Sequence, residues 1–338
     1  MIYNCLKKLL EKSDKIATIY KNQEEKMTER EIFKSILRRE IPDRFPKDGT
    51  VQLSFVPGEH SMEPQGGLDW FGVFWKREAD GTQVVPPGQT RIESMEDWQS
   101  VMPTVHEDEV KFWGEKTAAG YDRENCVQIV GIQSGHFERM QSLVGFEDAL
   151  TAFYEYPDET KEYMHAMTDY KIELFRQIKK YYNPDIVSPH DDWGANKNMF
   201  FSPAIWREFI KPELKRLVDA THEMGMLYEQ HTCGYITQIF GDMVECGEDM
   251  AEIQAVNDIE YIKKTYGNAI ILRGCFNGQK LGAPDITVDE ARAEVRRTLD
   301  IVAKDGGFLV QRIWGTRPEV MTAIFEEYGK FAEENYKK

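Results

Sequence analysis

From about residue 127 to residue 311 the chain alternates short β-rich runs with helical patterns, and no other feature constrains its fold as strongly. The apolar runs fall at 127–132, 185–188, 226–229, 250–253, 269–272 and 307–311. Helical periodicity occupies 138–152, 158–182, 203–224, 235–246, 257–265, 287–304 and 317–335. A chain that returns to one sheet after each helix must lay its strands parallel, with the helices as crossovers. Residues 51–56 offer an earlier strand, and the aromatic stretch 70–75 offers an eighth. Eight such units predict an α/β protein with one closed (β/α)8 TIM barrel as a single domain. No glycine-rich phosphate loop follows any of these strands, which removes the main reason to expect an open nucleotide-binding sheet.

The barrel is expected to begin near Thr28, where Thr28-Glu29-Arg30-Glu31 forms a capping box ahead of a helix to about Arg39. Residues 27–338 are thus assigned to the barrel. Residues 1–26, with Leu6, Leu9, Leu10 and Ile16 among charges, read as an amphipathic helical extension packed outside it. Residues 58–100 are rich in glycine, proline and aromatics without helical periodicity, as in a lid or an elaborated loop.

Charge narrows the function. With 42 basic against 58 acidic residues and a net charge of −16, the chain would repel nucleic acid and anionic membrane surfaces. No apolar run reaches the roughly 18 residues of a membrane span. The first residues lack the pattern of a cleavable leader. Five widely spaced cysteines suit a reducing cytoplasm better than a disulfide framework.

In such a barrel, chemistry is carried at the C-terminal ends of the strands. Those ends are unusually polar: Glu59 and His60; Gln133, His136 and Glu138; His190, Asp191 and Asp192; Glu229, His231 and Cys233; Glu252 and Gln254; Arg273 and Cys275; Gln311 and Arg312. Strand alternation places Glu229, His231 and Cys233 on one face. An imidazole and a thiolate two residues apart at a strand end make half of a tetrahedral zinc site.

Several of these segments have a family likeness. They are Met27-Thr28-Glu29-Arg30-Glu31-Ile32-Phe33 with Pro42-Asp43-Arg44; Gly135-His136-Phe137-Glu138; His190-Asp191-Asp192-Trp193-Gly194; Ser202-Pro203 with Lys211-Pro212; and His231-Thr232-Cys233-Gly234. Together, residues 28–335 resemble the uroporphyrinogen decarboxylase superfamily, which includes zinc-dependent methyltransferases that work with corrinoid proteins. The resemblance implies that His231 and Cys233 bind zinc. It also implies a third ligand from a last-strand cysteine in the thiol-methylating members. The stretch 311–316 has no cysteine, so Cys275 is the expected third metal ligand, with Glu229 and Glu252 as alternatives. The decarboxylase branch grips its polyanionic substrate with an arginine-bearing segment, and the matching stretch 56–61 has no arginine.

The expected activity is transfer of a methyl group from a small donor, a phenyl methyl ether foremost, to the cobalt of a corrinoid protein. Zinc would stabilise charge on the leaving oxygen. Asp192 and Glu138 are the expected catalytic acids, and Glu59, His136 and His190 the expected substrate-binding residues. The alternatives are methyl transfer from methyl-corrinoid to a thiol, and a decarboxylase-like barrel in which His231 and Cys233 are structural.

Overall fold

The computed structural model describes residues 27–336 apart from Met62, Pro64, 79–81, Asn268 and Trp314. The helix expected over residues 1–26 lies outside the described residues. Among the described residues, ten strands are laid down in chain order: β1 (Val51–Phe55), β2 (Gly67–Leu68), β3 (Phe74–Arg77), β4 (Gln83–Val84), β5 (Val127–Ile132), β6 (Ile186–Pro189), β7 (Leu227–His231), β8 (Met250–Ile253), β9 (Ile271–Gly274) and β10 (Phe308–Leu309). Seven of them, all parallel, form one sheet in the order β1-β5-β6-β7-β8-β9-β10.

That sheet is curled. Inward-facing Val127 and Ile129, Ile186, Met250, Ile271 and Leu309 form a single cluster with Ile32, Phe33 and Ile36, and Val51 and Leu227 pack against it. One cluster can join the first strand to the last only if the sheet bends round on itself. Arg312, just past β10, also pairs with Asp48, just before β1. The fold is therefore a barrel of the (β/α)8 class.

The helix that carries Ile32, Phe33 and Ile36 (Glu29–Leu37) stoppers the N-terminal end of the barrel. Thr28 and Glu31 close its capping box as expected, and the three apolar side chains on one face are at most 3% exposed. Burying each stabilises the fold by about 1.5–3 kcal/mol. The outer layer is built from the helices that follow each strand, with the 25-residue Pro157–Tyr181 the longest and Pro318–Asn335 the last.

One expectation needs correction. The stretch 70–75 supplies no barrel strand. β2, β3 and β4 form a separate antiparallel sheet, and β1 pairs directly with β5. A β-prone run alone does not determine its partner, and here the short antiparallel excursion satisfies Phe74–Arg77 locally. It is held down by a buried ion pair. Asp69 accepts from the backbone of Phe71 and Val73 and from the Trp75 indole at 2.7 Å, and pairs with Arg139 on the helix His136–Val144.

Candidate metal centre

Strand register sets the layers inside the barrel. Ser188 on β6, Glu229 and His231 on β7, Glu252 on β8 and Arg273 on β9 project inward above the apolar stopper. His231 lies opposite Glu252, and Glu252 opposite Arg273. His190, one residue past β6, makes a parallel bridge with His231, and their rings meet edge-on at 4.2 Å. The ligand-type atoms of His190, Asp192, His231 and Cys233 all lie within 4.8 Å of one another. His190 Nε2 is 3.1 Å from Asp192 Oδ1, and Cys233 Sγ is 3.5 Å from His231 Nε2. The side chains of His190, Asp192 and His231 are 28%, 25% and 29% exposed, so the cluster can be reached from solvent.

Two glycines bring these loops together. A Cβ on Gly234, whose φ is +80°, would lie 1.9 Å from the Gly194 carbonyl oxygen. One on Gly194 would lie 2.6 Å from the Tyr235 carbonyl oxygen. The glycine ending each of the motifs at 190–194 and 231–234 therefore lets the two backbones touch. The Cys233 N–H donates to Asp192 Oδ1 at 2.6 Å and fastens them. The Gly234 N–H donates to Gln254 at 3.0 Å, and Asn257 donates to the Gly234 carbonyl at 3.0 Å.

The adjacent acids have different tasks. Asp191 is buried and accepts the N–H groups of His136, Phe137 and Glu138 at 3.1, 3.2 and 2.9 Å, with the Trp193 indole at 2.9 Å. It caps the helix His136–Val144, whose own N-cap is Gly135, and a Cβ there would meet the Asp191 carboxyl. Asp192 belongs to the cluster. Glu138, in the first turn of the capped helix, points one oxygen at His190 Nδ1 from 3.5 Å, and that oxygen is buried without a hydrogen-bond partner.

Electrostatics favour positive charge here. Burial works against protonated His231, and so does His190, yet Glu252 and Cys233 raise it to about 10. His190 is likewise raised against burial by Glu138 and Asp192. Burial would raise Asp192, but the hydrogen bond from His190 outweighs it and holds the carboxyl at about 2. Burial also opposes the Cys233 thiolate, which hydrogen bonds to the two imidazoles favour. Glu138, which lacks such a partner, is pushed well above the carboxylate range by burial.

The structure brings together His190, Asp192, His231 and Cys233, with Glu138 beside them. It does not bring in Cys275, Glu59 or His136. Cys275 follows Gly274 with both residues at positive φ, +77° and +62°, so strand alternation fails there. Its thiol lies in the main hydrophobic core against the Arg273 carbonyl, and burial pushes it up to about 12. Glu59 is 2% exposed, between Arg139 at 3.6 Å and Lys171 at 3.8 Å. His136 is buried with Nε2 2.8 Å from the Thr168 hydroxyl. His60 bridges Ser134 and Gln83 against the Trp75 ring. His190 changes role, since the sequence suggested a substrate contact and the geometry gives a ligand-type position. Arg273 stood in the sequence only as a strand-end cation. Its parity with Ile271 on β9 was the available signal that it points inward.

The fold is thus a parallel barrel whose mouth carries a mixed imidazole, thiol and carboxylate cluster that could hold a metal ion. Residues 77–326 match the family Uroporphyrinogen decarboxylase (URO-D), and the chain belongs to that family. Among solved structures it is similar to a methyltransferase from Methanosarcina mazei, with 18% identity over 74% of this chain and 72% of that one and a TM-score of 0.53. A chitinase from Chromobacterium violaceum is more distant, with 8% identity over 82% and 98% and a TM-score of 0.39. No curated protein matches the sequence significantly.

Proposed function

We propose that this protein is a zinc-dependent methyltransferase that takes a methyl group from a small methylated donor, a phenyl methyl ether by preference, and passes it to the cobalt of a corrinoid carried by a partner protein. The observation that supports this best is the cluster of His190, Asp192, His231 and Cys233. Two imidazole nitrogens, one thiolate and one carboxylate oxygen in such proximity form a donor set that suits zinc. Held by three of the four and with its remaining position open, zinc would supply Lewis acidity to the ether oxygen, which otherwise leaves poorly.

The chain's own residues do the rest. Burial pushes the Glu138 carboxyl well above the carboxylate range beside the cluster, which suits it to donate a proton to the departing oxygen. Asp192 is tied to the Cys233 N–H and to His190, which suits a ligand better than the acid that the sequence suggested. The β1–β5 side of the same interior is apolar, with Leu53, Phe55 and the unsubstituted Gly131 against Phe55, and can accept an aromatic ring. The fold of the Methanosarcina mazei methyltransferase is consistent with the activity.

The competing readings receive less support. Porphyrinogen decarboxylation needs arginines free to grip carboxylates. Arg139 is paired with Asp69 and Glu59, Arg273 with Glu229 and Glu252, and Arg312 with Asp48. Thiol methylation would be favoured by a cluster richer in sulfur, and this one contains a single cysteine.

Anaerobic incubation with a reduced corrinoid protein and a panel of methoxylated aromatics tests the proposal. The expected result is a change in the corrinoid spectrum together with release of a phenol. Inactivity across the panel, with methylation of a thiol from methyl-cobalamin instead, would assign the opposite direction of transfer.

A further inference from the structure

Beneath the cluster lies a buried chain of polar groups to which the proposed reaction gives no direct part. The His231 Nδ1 faces Glu252 Oε2 at 3.1 Å. Arg273 Nη2 reaches that same Glu252 oxygen and also Glu229 Oε1 at 2.6 Å. Ser188 donates to Glu229 Oε1 at 2.7 Å, and Gln311 helps hold the Glu252 carboxyl charged. Glu229 is fully buried, and the Arg273 side chain is 10% exposed. Neither Glu252 nor Glu229 belongs to the group of ligand-type atoms above them.

We propose that Glu252, anchored by Arg273, is a positioning residue that keeps the proton on Nδ1 of His231, so that Nε2, turned toward Cys233, is the nitrogen that gives up its proton to a bound ion. The inference rests on the metal-site reading and adds what makes the site bind tightly. A neutral imidazole can carry its proton on either nitrogen, and only a hydrogen-bond acceptor at one of them settles which. Glu252 is that acceptor, and Nε2 is the nitrogen 3.5 Å from the thiol. A carboxylate left alone in this interior could swing up to bind the ion itself. Arg273 prevents this by holding it from the neighbouring strand at the register position fixed by β8 and β9. Glu229 accepts from the same Nη2, so removing Glu252 leaves a balanced Glu229–Arg273 pair and the interior need not unfold.

The test compares wild type with Glu252→Met, which removes the acceptor, and Glu252→Gln, whose amide oxygen can still accept from Nδ1. Zinc affinity is measured by chelator competition at a temperature where thermal melts show all three proteins folded. Second-sphere changes of this kind cost about 10–100-fold in metal affinity. Glu252→Met is expected to lose that much, and Glu252→Gln to stay within a few-fold of wild type. Nitrogen spectra of zinc-loaded, histidine-labelled wild type are expected to show His231 protonated at Nδ1. Should Glu252→Met fail to fold, the glutamine variant and the spectra still decide. Unchanged affinity in Glu252→Met, or zinc on Nδ1 of His231, overturns this inference alone. A wild type that binds no stoichiometric zinc overturns the metal-site reading instead.

Discussion

His136 gives the sharpest quantitative prediction, because its neighbours fix both its tautomer and its charge. The Thr168 hydroxyl donates to the Met164 carbonyl at 3.0 Å, so its oxygen must accept from His136 Nε2–H. Burial, with Lys171 adding to it, lowers the histidine from 6.5 to about 3. The folded protein therefore binds fewer protons at this site than the unfolded chain once the pH drops below 6.5. The associated stability is complete above 6.5 and is lost as the pH falls toward 3. Each pH unit is worth about 1.4 kcal/mol, so the loss reaches about 2 kcal/mol at about pH 5. Other buried groups titrate in the same window, and the comparison must remove them. His136→Gln keeps an N–H for Thr168 and cannot be protonated. Urea denaturation of both proteins at about pH 7.5 and about pH 5 gives the difference of differences. Wild type should lose about 2 kcal/mol more than the variant. Parallel pH dependences would refute the placement of a neutral histidine in the core.

Gly234→Ala must put a methyl group where the Gly194 carbonyl lies and hold a positive φ, so a loss of about 2 kcal/mol or more is expected in urea melts, with the metal content falling too. Retention of both would show that the two loops are not in backbone contact. Cys233→Ser and His231→Ala should lose stoichiometric zinc by elemental analysis while keeping wild-type circular dichroism, and full metal content in both would remove the cluster from consideration. Asp69→Asn leaves the Arg139 charge buried without its nearest partner and should destabilise by about 3–5 kcal/mol, whereas an unchanged midpoint would mean the antiparallel excursion is held by other contacts. Glu138→Gln should slow methyl transfer by about 100-fold or more at unchanged zinc content, and a wild-type rate would dismiss it as the proton donor.

The repeating pattern of strands and helices was legible because burial on both faces makes parallel strands largely apolar, as in Val127–Ile132, where only Gln128 is polar and all six residues are buried. The His231–Cys233 spacing was legible for a different reason, since β7 holds its alternation to His231 and Cys233, two residues past the strand end, stays beside it. What escaped lies where alternation stops. Asp191 and Asp192 sit in a loop, where adjacent side chains follow local backbone angles, and only the position of the helix His136–Val144 tells the cap from the cluster member. Cys275 shares parity with Arg273 and looked inward, but two successive positive-φ residues turn it away, the second of them not a glycine. The excursion at 67–84 escaped because strand propensity carries no information about partner direction. Long-range pairings such as Arg139 with Asp69, seventy residues apart, leave no local trace at all.

The stopper helix closes the N-terminal end of the barrel, opposite the mouth that holds the cluster. Ile32, Phe33 and Ile36, and the ring of apolar side chains above them, close the floor to anything polar. A polar molecule that enters at the mouth has no way out through that floor. Donor, demethylated product and the acceptor that takes the methyl group would then compete for that mouth, and order of arrival becomes a property of the architecture. On the proposed reaction, a small donor would have to be seated before a large partner covers the mouth, and the product would stay until that partner lifts. Kinetically, such a barrel should turn over through a compulsory sequence of binding and release.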